Sequence, residues 1–298
     1  MRESDWIQHY IAPLVHAPGA ARLQDDVATL SMSGPTIVSM DTLTQGTHFL
    51  ADDPLDTVGQ KLVRVNASDI IAKGAEPVEA LLSVAWPENG SESDFAALMK
   101  GLGLDLEQFG IALIGGDLVR TSGPLTLTLT LTGRCLDEGP VRRSGGTEGQ
   151  FLFINGEIGW GGLGLDAAKK GGPADLAQRY RVPRISPITA AGTIAKFATA
   201  SMDISDGLLI DVARLAAASG CGAHIHLESV PLAQASESIG EIIDQCASGD
   251  DYCALISAAS DITIPGFTKI GILTSVPGLQ LTHQGAVVNT PSTLGFEH

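Results

Sequence analysis

The sequence predicts an α/β (α+β) protein built from two domains of similar size. Three observations predict it. Helix-spaced and strand-spaced apolar stripes alternate along the chain, a stretch rich in glycine and charge interrupts them at residues 137–150, and 298 residues suffice for two ordinary domains. The first domain is expected over residues 1–137 and the second over 145–298. Hydrophobic residues make up 44% and charged residues 17% of the chain, which is a globular rather than a disordered composition.

Each element has its own signal. Trp6, Ile7, Tyr10, Ile11 and Leu14 are spaced as one face of a helix, limited by Pro13 and Pro18. A short strand is expected at residues 37–40, ending at Asp41. Residues 56–73 read as a helix, with Asp56 as a cap and Gly74 and Pro77 at its end. Val58, Leu62, Val65 and Asp69 share one face of it, so Asp69 is aimed inward, where a carboxylate needs a partner. A second helix spans 94–109, with Gly110 as its C-cap. Strict alternation of Leu and Thr over 125–132 marks the clearest strand, with one apolar and one polar face. Beyond the 137–150 linker, Phe151–Ile154 opens the second domain, and Leu208, Leu209, Val212, Leu215 and Ala216 mark a helix ended by Gly220.

Several function classes are disfavoured. A formal net charge of -16 argues against a nucleic-acid partner, which wants a basic face. No apolar run is long enough for a membrane span, and the mixed-charge N-terminus does not resemble a secretory signal. Cys135, Cys221, Cys246 and Cys253 form no C-x-x-C pair, so buried inert thiols in a reduced, cytoplasmic setting are expected. Gly159–Gly164 matches G-x-G-x-x-G. Residues intervene between it and the strand, and no acidic residue follows at the expected distance, so it reads as the packing of a glycine-rich turn.

Aspartates recur at the expected edges of elements: Asp25-Asp26, Asp41, Asp69, Gly115-Gly116-Asp117 after an apolar strand, Asp203-Ile204-Ser205-Asp206-Gly207 before a helix, and Gly249-Asp250-Asp251-Tyr252. Carboxylates on rigid elements can hold Mg²⁺ against substrate phosphates, as phosphoryl transfer requires. Plainer readings stand beside this one. Asp25 or Asp26 can begin a turn, Ser205 or Asp206 can cap a helix, Gly115-Gly116-Asp117 can be a tight turn, and His48 can be structural.

Taken together and in order, these motifs resemble the thiamine-monophosphate kinase family over nearly the whole chain. The resemblance rests on Asp25-Asp26-Val27-Ala28, on Ser39 through Phe49, on Asn66 through Pro77, on Ile114-Gly115-Gly116-Asp117, on Arg143-Ser144-Gly145, on Ser201 through Leu208 and on Ser248 through Tyr252. It implies an aminoimidazole ribonucleotide synthetase-like fold, with an N-terminal sheet forming a dimer barrel and a C-terminal α/β domain. The apolar face of the 125–132 strand is expected to meet the partner copy. It implies ATP-dependent phosphorylation of thiamine monophosphate to thiamine diphosphate. It also implies Mg²⁺ ligation by Asp26, Ser39, Asp41, Asp69, Asp117, Asp203 and Asp206, with Asp41, Asp69, Asp117 and Asp206 as the catalytic set. ATP contacts are implied for Gly116, Asp117, Arg143 and Ser205, and contacts to thiamine monophosphate for His48, Asp250 and Phe296. Departures from the family pattern are Gln24 for Gly, Met40 for Thr, Asp250 for Glu, and Thr293 where an aromatic is expected, with Phe296 as its substitute. The rival readings are a sister ATP-dependent enzyme with another acceptor and a non-catalytic, metal-binding dimeric module.

Overall fold

The computed structural model describes residues 3–23, 27–259 and 262–296. Two compact units divide the chain. One is Met1–Ile70 with Glu76–Cys135, and the other is Ile71–Ala75 with Leu136–His298.

The first unit begins with the short helix α1 (Glu3–Trp6), which continues as a π-helical turn over Ile7–Ile11. Its body is β1 (Thr36–Thr44), α2 (Leu55–Ala72), β2 (Ala75–Pro87), α3 (Glu92–Phe109), β3 (Ala112–Thr121) and β4 (Thr126–Cys135). The last residues of α2 and the first of β2 belong to the other unit. The strand order is β1-β4-β2-β3, with β1 antiparallel to β4 and β2 parallel to β3. Helix α3 starts on Ser91, whose hydroxyl accepts the Asp94 N–H at 3.1 Å, and ends on Gly110 in the left-handed region. The two helices touch closely: a Cβ on Gly101 would lie 1.8 Å from the Asp56 carbonyl oxygen.

The four-stranded sheet has unlike faces. Leu125, Leu127, Leu129 and Leu131 are all buried within this unit, as are Leu62 of α2 and Leu98 and Leu102 of α3. The expectation that this apolar face awaits a partner copy is therefore corrected, because the chain's own core already takes it up. The other face is open and carries Val38 (66% exposed), Met40 (63%), Leu81 and Val119. A cavity of about 870 Å³ lies there, lined among others by Ile11, Leu23, Met40, Leu81 and Thr128.

The second unit comprises β5 (Phe151–Ile154), α4 (Trp160–Lys170), α5 (Ala174–Arg181), α6 (Ala190–Phe197), β6 (Ala200–Asp203), α7 (Leu208–Ala218), β7 (Gly222–His226), α8 (Ile239–Ala247), β8 (Ala254–Ala258), β9 (Thr268–Thr274), β10 (Leu279–His283) and β11 (Ala286–Val288). Its seven-stranded sheet runs β11-β10-β7-β9-β5-β8-β6. Ile154, Met202, Leu208, Leu209, Val212 and Leu255 lie in its core. Strand β5 is antiparallel to both neighbours, so the glycine motif that follows it is not in a parallel βαβ unit. Residues 137–150 carry no helix or strand. All four cysteines are free thiols, and Cys135, Cys246 and Cys253 are buried. No helix among the described residues is long and apolar enough to cross a membrane.

Candidate functional site

In the first unit the site grows from β1. Alternation along this strand sends Ser39 and Asp41 to the same side as Ile37 and the buried Leu43, and sends Val38 and Met40 to the open face. Asp41 thus lies within a nine-residue strand rather than at the end of a short one. The physical reason is that Thr42, Leu43 and Thr44 extend the alternation beyond the acidic residue and pair with Thr128, Leu127 and Thr126. Met40 removes no oxygen from the face that bears Asp41, because it points the other way.

Helix α2 meets this face with Asn66 and Asp69. The Ser39 hydroxyl donates to Asp69 Oδ2, and the Asp41 backbone N–H donates to Asn66 Oδ1 at 3.0 Å. Asn66 is fully buried and gives its own amide to the Leu62 carbonyl at 2.9 Å. Burial, and then the charge of Asp69, push the Asp41 carboxyl up to about 6. The donors gathered here are all oxygens, and two of them are carboxylates that repel each other. That chemistry suits a hard divalent cation. Among the described residues, however, no three His, Cys, Asp or Glu side chains are arranged to hold a metal. Asp25 and Asp26 lie outside the described residues.

Gly116 and Asp117 lie elsewhere. They sit inside β3, not after it, and line the cavity on the open face. The parallel pairing with β2 runs straight through the glycines, with a register shift at Ala80/Leu81. A Cβ on Gly116 would lie 1.8 Å from the Leu82 carbonyl oxygen, so the close strand approach requires glycine there. The structure thus groups Ser39, Asp41 and Asp69 on one side of the sheet, and leaves Asp117 exposed on the other. His48 is half-buried, and its Nδ1 accepts the Thr44 N–H at 3.0 Å, which puts the ring proton of the neutral form on Nε2.

In the second unit, Asp203 ends β6 and is buried, and the loop to α7 follows. Neither Ser205 nor Asp206 caps α7; Gly207 occupies that position without a side-chain bond. Asp211 instead reaches back from within the helix to the loop before it. Its Oδ2 accepts the N–H groups of Ser205 and Asp206, each at 3.1 Å. Arg214 bridges Asp206 Oδ2 and Asp211 Oδ1, the latter at 3.0 Å. Burial pushes the Asp211 carboxyl up, against the pull of the Asp206 N–H and Arg214.

The loop after α8 docks onto this one. The Asp250 N–H donates to Ser205 O at 2.8 Å and the Tyr252 N–H to Ile204 O at 2.7 Å, and the Tyr252 hydroxyl donates to Asp250 Oδ1 at 2.8 Å. The Phe296 N–H donates to Asp206 O at 2.9 Å, with the ring half exposed. Asp203, Ser205, Asp206, Asp250 and Phe296 are therefore neighbours in one loop cluster. Arg143 is exposed in the linker, and its carbonyl accepts the Ser219 hydroxyl at 2.8 Å. A cavity of about 340 Å³ lies beside it, lined among others by Asp137, Val141, Arg142, Ser144 and Thr199.

Sequence reasoning missed Asn66, Asp211 and Asp251 as anchors. Asn66 and Asp251 lie within the motifs that carry the family resemblance, and Asp211 follows one at helical spacing. The buried Asp251 accepts the N–H groups of Gly159 (2.8 Å) and Gly161 (3.1 Å), which gives the glycine motif a structural purpose.

Comparisons with known proteins agree with this architecture. The family described as AIR synthase related protein, N-terminal domain, matches residues 24–135, and its C-terminal domain counterpart matches residues 147–261. The thiamine-monophosphate kinase of Caulobacter vibrioides is 35% identical over 99% of this chain and 90% of that protein. The solved structure of AaThiL complexed with AMPPCP and TMP superposes with a TM-score of 0.78 at 27% identity, covering 99% of this chain and 98% of that one. Hydrogenase maturation protein HypE in complex with ATP gives a TM-score of 0.81 at 16% identity, covering 99% and 96%, a likeness of fold alone.

Proposed function

Because the chain belongs to the thiamine-monophosphate kinase family, we propose that it transfers the γ-phosphoryl group of ATP to thiamine monophosphate, giving thiamine diphosphate and ADP. The observation that carries this reading is the 35% identity to a kinase of that name over 99% of the chain. The solved homologue with AMPPCP and TMP supports the same pair of substrates.

The transfer is direct. An oxygen of the substrate phosphate forms a bond to the γ-phosphorus, and the bond from that phosphorus to the β–γ bridging oxygen breaks, releasing ADP. A phosphate monoester is largely dianionic at neutral pH, so no strong general base is required. The difficulty is charge, since two polyanions must meet, and positioning with charge neutralisation does most of the work. Mg²⁺, when bound, supplies that neutralisation. Ser39, Asp41 and Asp69 are the residues of the first unit whose donors fit it, with Asp26 and Asp117 added on the family motif alone. Asp203 and Asp206 are likewise added on the family motif alone, and Asp206 has to share its carboxylate with Arg214.

Gly116, Asp117, Arg143 and Ser205 are assigned to ATP, with the Arg143 guanidinium offsetting phosphate charge. His48, Asp250 and Phe296 are assigned to thiamine monophosphate. The enzyme acts as a homodimer in the cytoplasm, and the open sheet face bearing Val38 and Met40 is the surface that the second copy covers.

The test is a coupled assay of ADP release with ATP, Mg²⁺ and thiamine monophosphate, with thiamine diphosphate detected directly. One thiamine diphosphate per ADP is the expected result. ATP binding without any thiamine diphosphate would overturn the reading and move the chain to a sister activity with another acceptor.

A further inference from the structure

Asp251 belongs to none of the groups assigned above, yet it is the more tightly held of two adjacent acids. It is 6% exposed. Both of its carboxylate oxygens are occupied by backbone: Oδ2 takes the Gly159 N–H at 2.8 Å and Oδ1 takes the Gly161 N–H at 3.1 Å. These amides open α4, so the Asp251 side chain sits at the positive end of an eleven-residue helix. An amide-lined, glycine-rich helix start is the geometry that elsewhere accepts phosphate. Here the chain's own carboxyl group fills it.

The contact fixes a strained loop. Asp250 and Tyr252, on either side, both adopt left-handed backbone, at φ 67° and 52°, which side chains other than glycine rarely take. The loop and the helix start also interlock sterically. A Cβ on Gly161 would lie 2.1 Å from the Gly249 carbonyl oxygen and 2.6 Å from Asp250 Cβ. On its far side the loop is tied to Ile204 and Ser205 through the Tyr252 and Asp250 amides. Beside this clamp the half-buried Asp250 carboxylate accepts the Tyr252 hydroxyl at 2.8 Å.

We propose that Asp251 is a positioning residue that acts through Asp250: by closing on Gly159 and Gly161 it holds residues 248–252 in the left-handed course that aims Asp250 at the substrate. This rests on the proposed function for its catalytic arm. Its structural arm stands alone.

The test uses the full chain in two arms. In the first, hydrogen exchange is measured for residues 159–163 and 248–252 in wild type and in Asp251→Asn, which keeps one acceptor oxygen but not the second. Exchange in both segments is expected to rise about tenfold or more, with α7 unchanged. Unchanged exchange in both segments overturns the proposal, whatever the enzyme's substrate. In the second arm, Asp251→Asn and Gly161→Ala are each expected to raise KM for thiamine monophosphate by about tenfold while KM for ATP stays within about twofold. Gly161→Ala alters no polar side chain and presses on the loop from the helix side. A double-mutant cycle with Asp250→Asn decides the route. If Asp251 acts through Asp250, Asp251→Asn costs little once Asp250 is already Asn, and fully additive effects overturn the proposal. A wild-type enzyme that turns over no thiamine monophosphate sinks the functional reading, and the exchange arm then decides the latch alone.

Discussion

Asn66 and Asp41 join helix to strand at one point: the Asp41 N–H donates to Asn66 Oδ1 at 3.0 Å, and Asn66 is fully buried. An Asn rather than a hydrophobic residue stands there because a backbone donor facing α2 in the core needs an acceptor. Asn66→Leu leaves that donor unsatisfied and is expected to cost about 1–3 kcal/mol of stability, the penalty for an orphaned buried polar group. Urea unfolding of both proteins measures it. Equal midpoints and slopes would show that the bond does not hold β1 to α2.

Asp41 itself should trade stability for activity. Its carboxyl is pushed up to about 6 by burial and by Asp69, so the ionised form is under strain when no cation is bound. Asp41→Asn relieves that repulsion. It is expected to melt at or above the wild-type temperature without Mg²⁺, while kcat with saturating Mg²⁺ and ATP falls by about a hundredfold or more, the scale of losing one electrostatic stabiliser. A variant with near-normal kcat would remove Asp41 from the proposed cation site.

Much of this was legible in the sequence, and the failures have physical reasons. The stripe in α2 and the alternation in β4 are local patterns, and both elements stand close to where period alone put them. The glycines of β3 concealed a strand, because parallel pairing with β2 can demand a missing Cβ where local propensity reads a turn. The leucines of β4 announced an apolar face but not what would cover it, since that depends on helices distant in sequence. Asp251 meets Gly159 and Gly161 across 92 and 90 residues, so no window along the chain could join them. The acids assigned to chemistry belong to motifs, whereas the acids that hold them in place are identified by burial and partners.

The open face of the first unit's sheet yields a prediction about assembly. Val38 and Met40 are more than half exposed there, an unusual place for two large apolar side chains on one strand. Light scattering on the purified wild type is expected to give a dimer. Val38→Glu is expected to give a folded monomer, because it puts a charge on that face while leaving Ser39 and Asp41 on the other side. A Val38→Glu protein that remains dimeric would move the interface elsewhere.

Asp251 also links stability to pH. Its carboxyl is pushed up from the usual 3.8 to about 7, chiefly by burial, with the Gly159 and Gly161 amides pulling the other way and the neighbouring Asp250 charge adding to the rise. Cys246 faces it as well, with its thiol raised to about 12, first by burial and then by the Asp251 charge. The folded protein therefore holds a proton on Asp251 that the unfolded chain has already released at the same pH. Stability from this group is full below about pH 4 and is lost as the pH rises through about 7. Asn cannot titrate, so Asp251→Asn lacks this dependence, while other groups common to both proteins, Asp41 among them, cancel in the difference. Melting temperatures measured from pH 5 to pH 8 are expected to show wild type losing ground to Asp251→Asn as the pH rises. A difference that stays constant over that range would mean that the two amides outweigh burial and that Asp251 is ionised throughout.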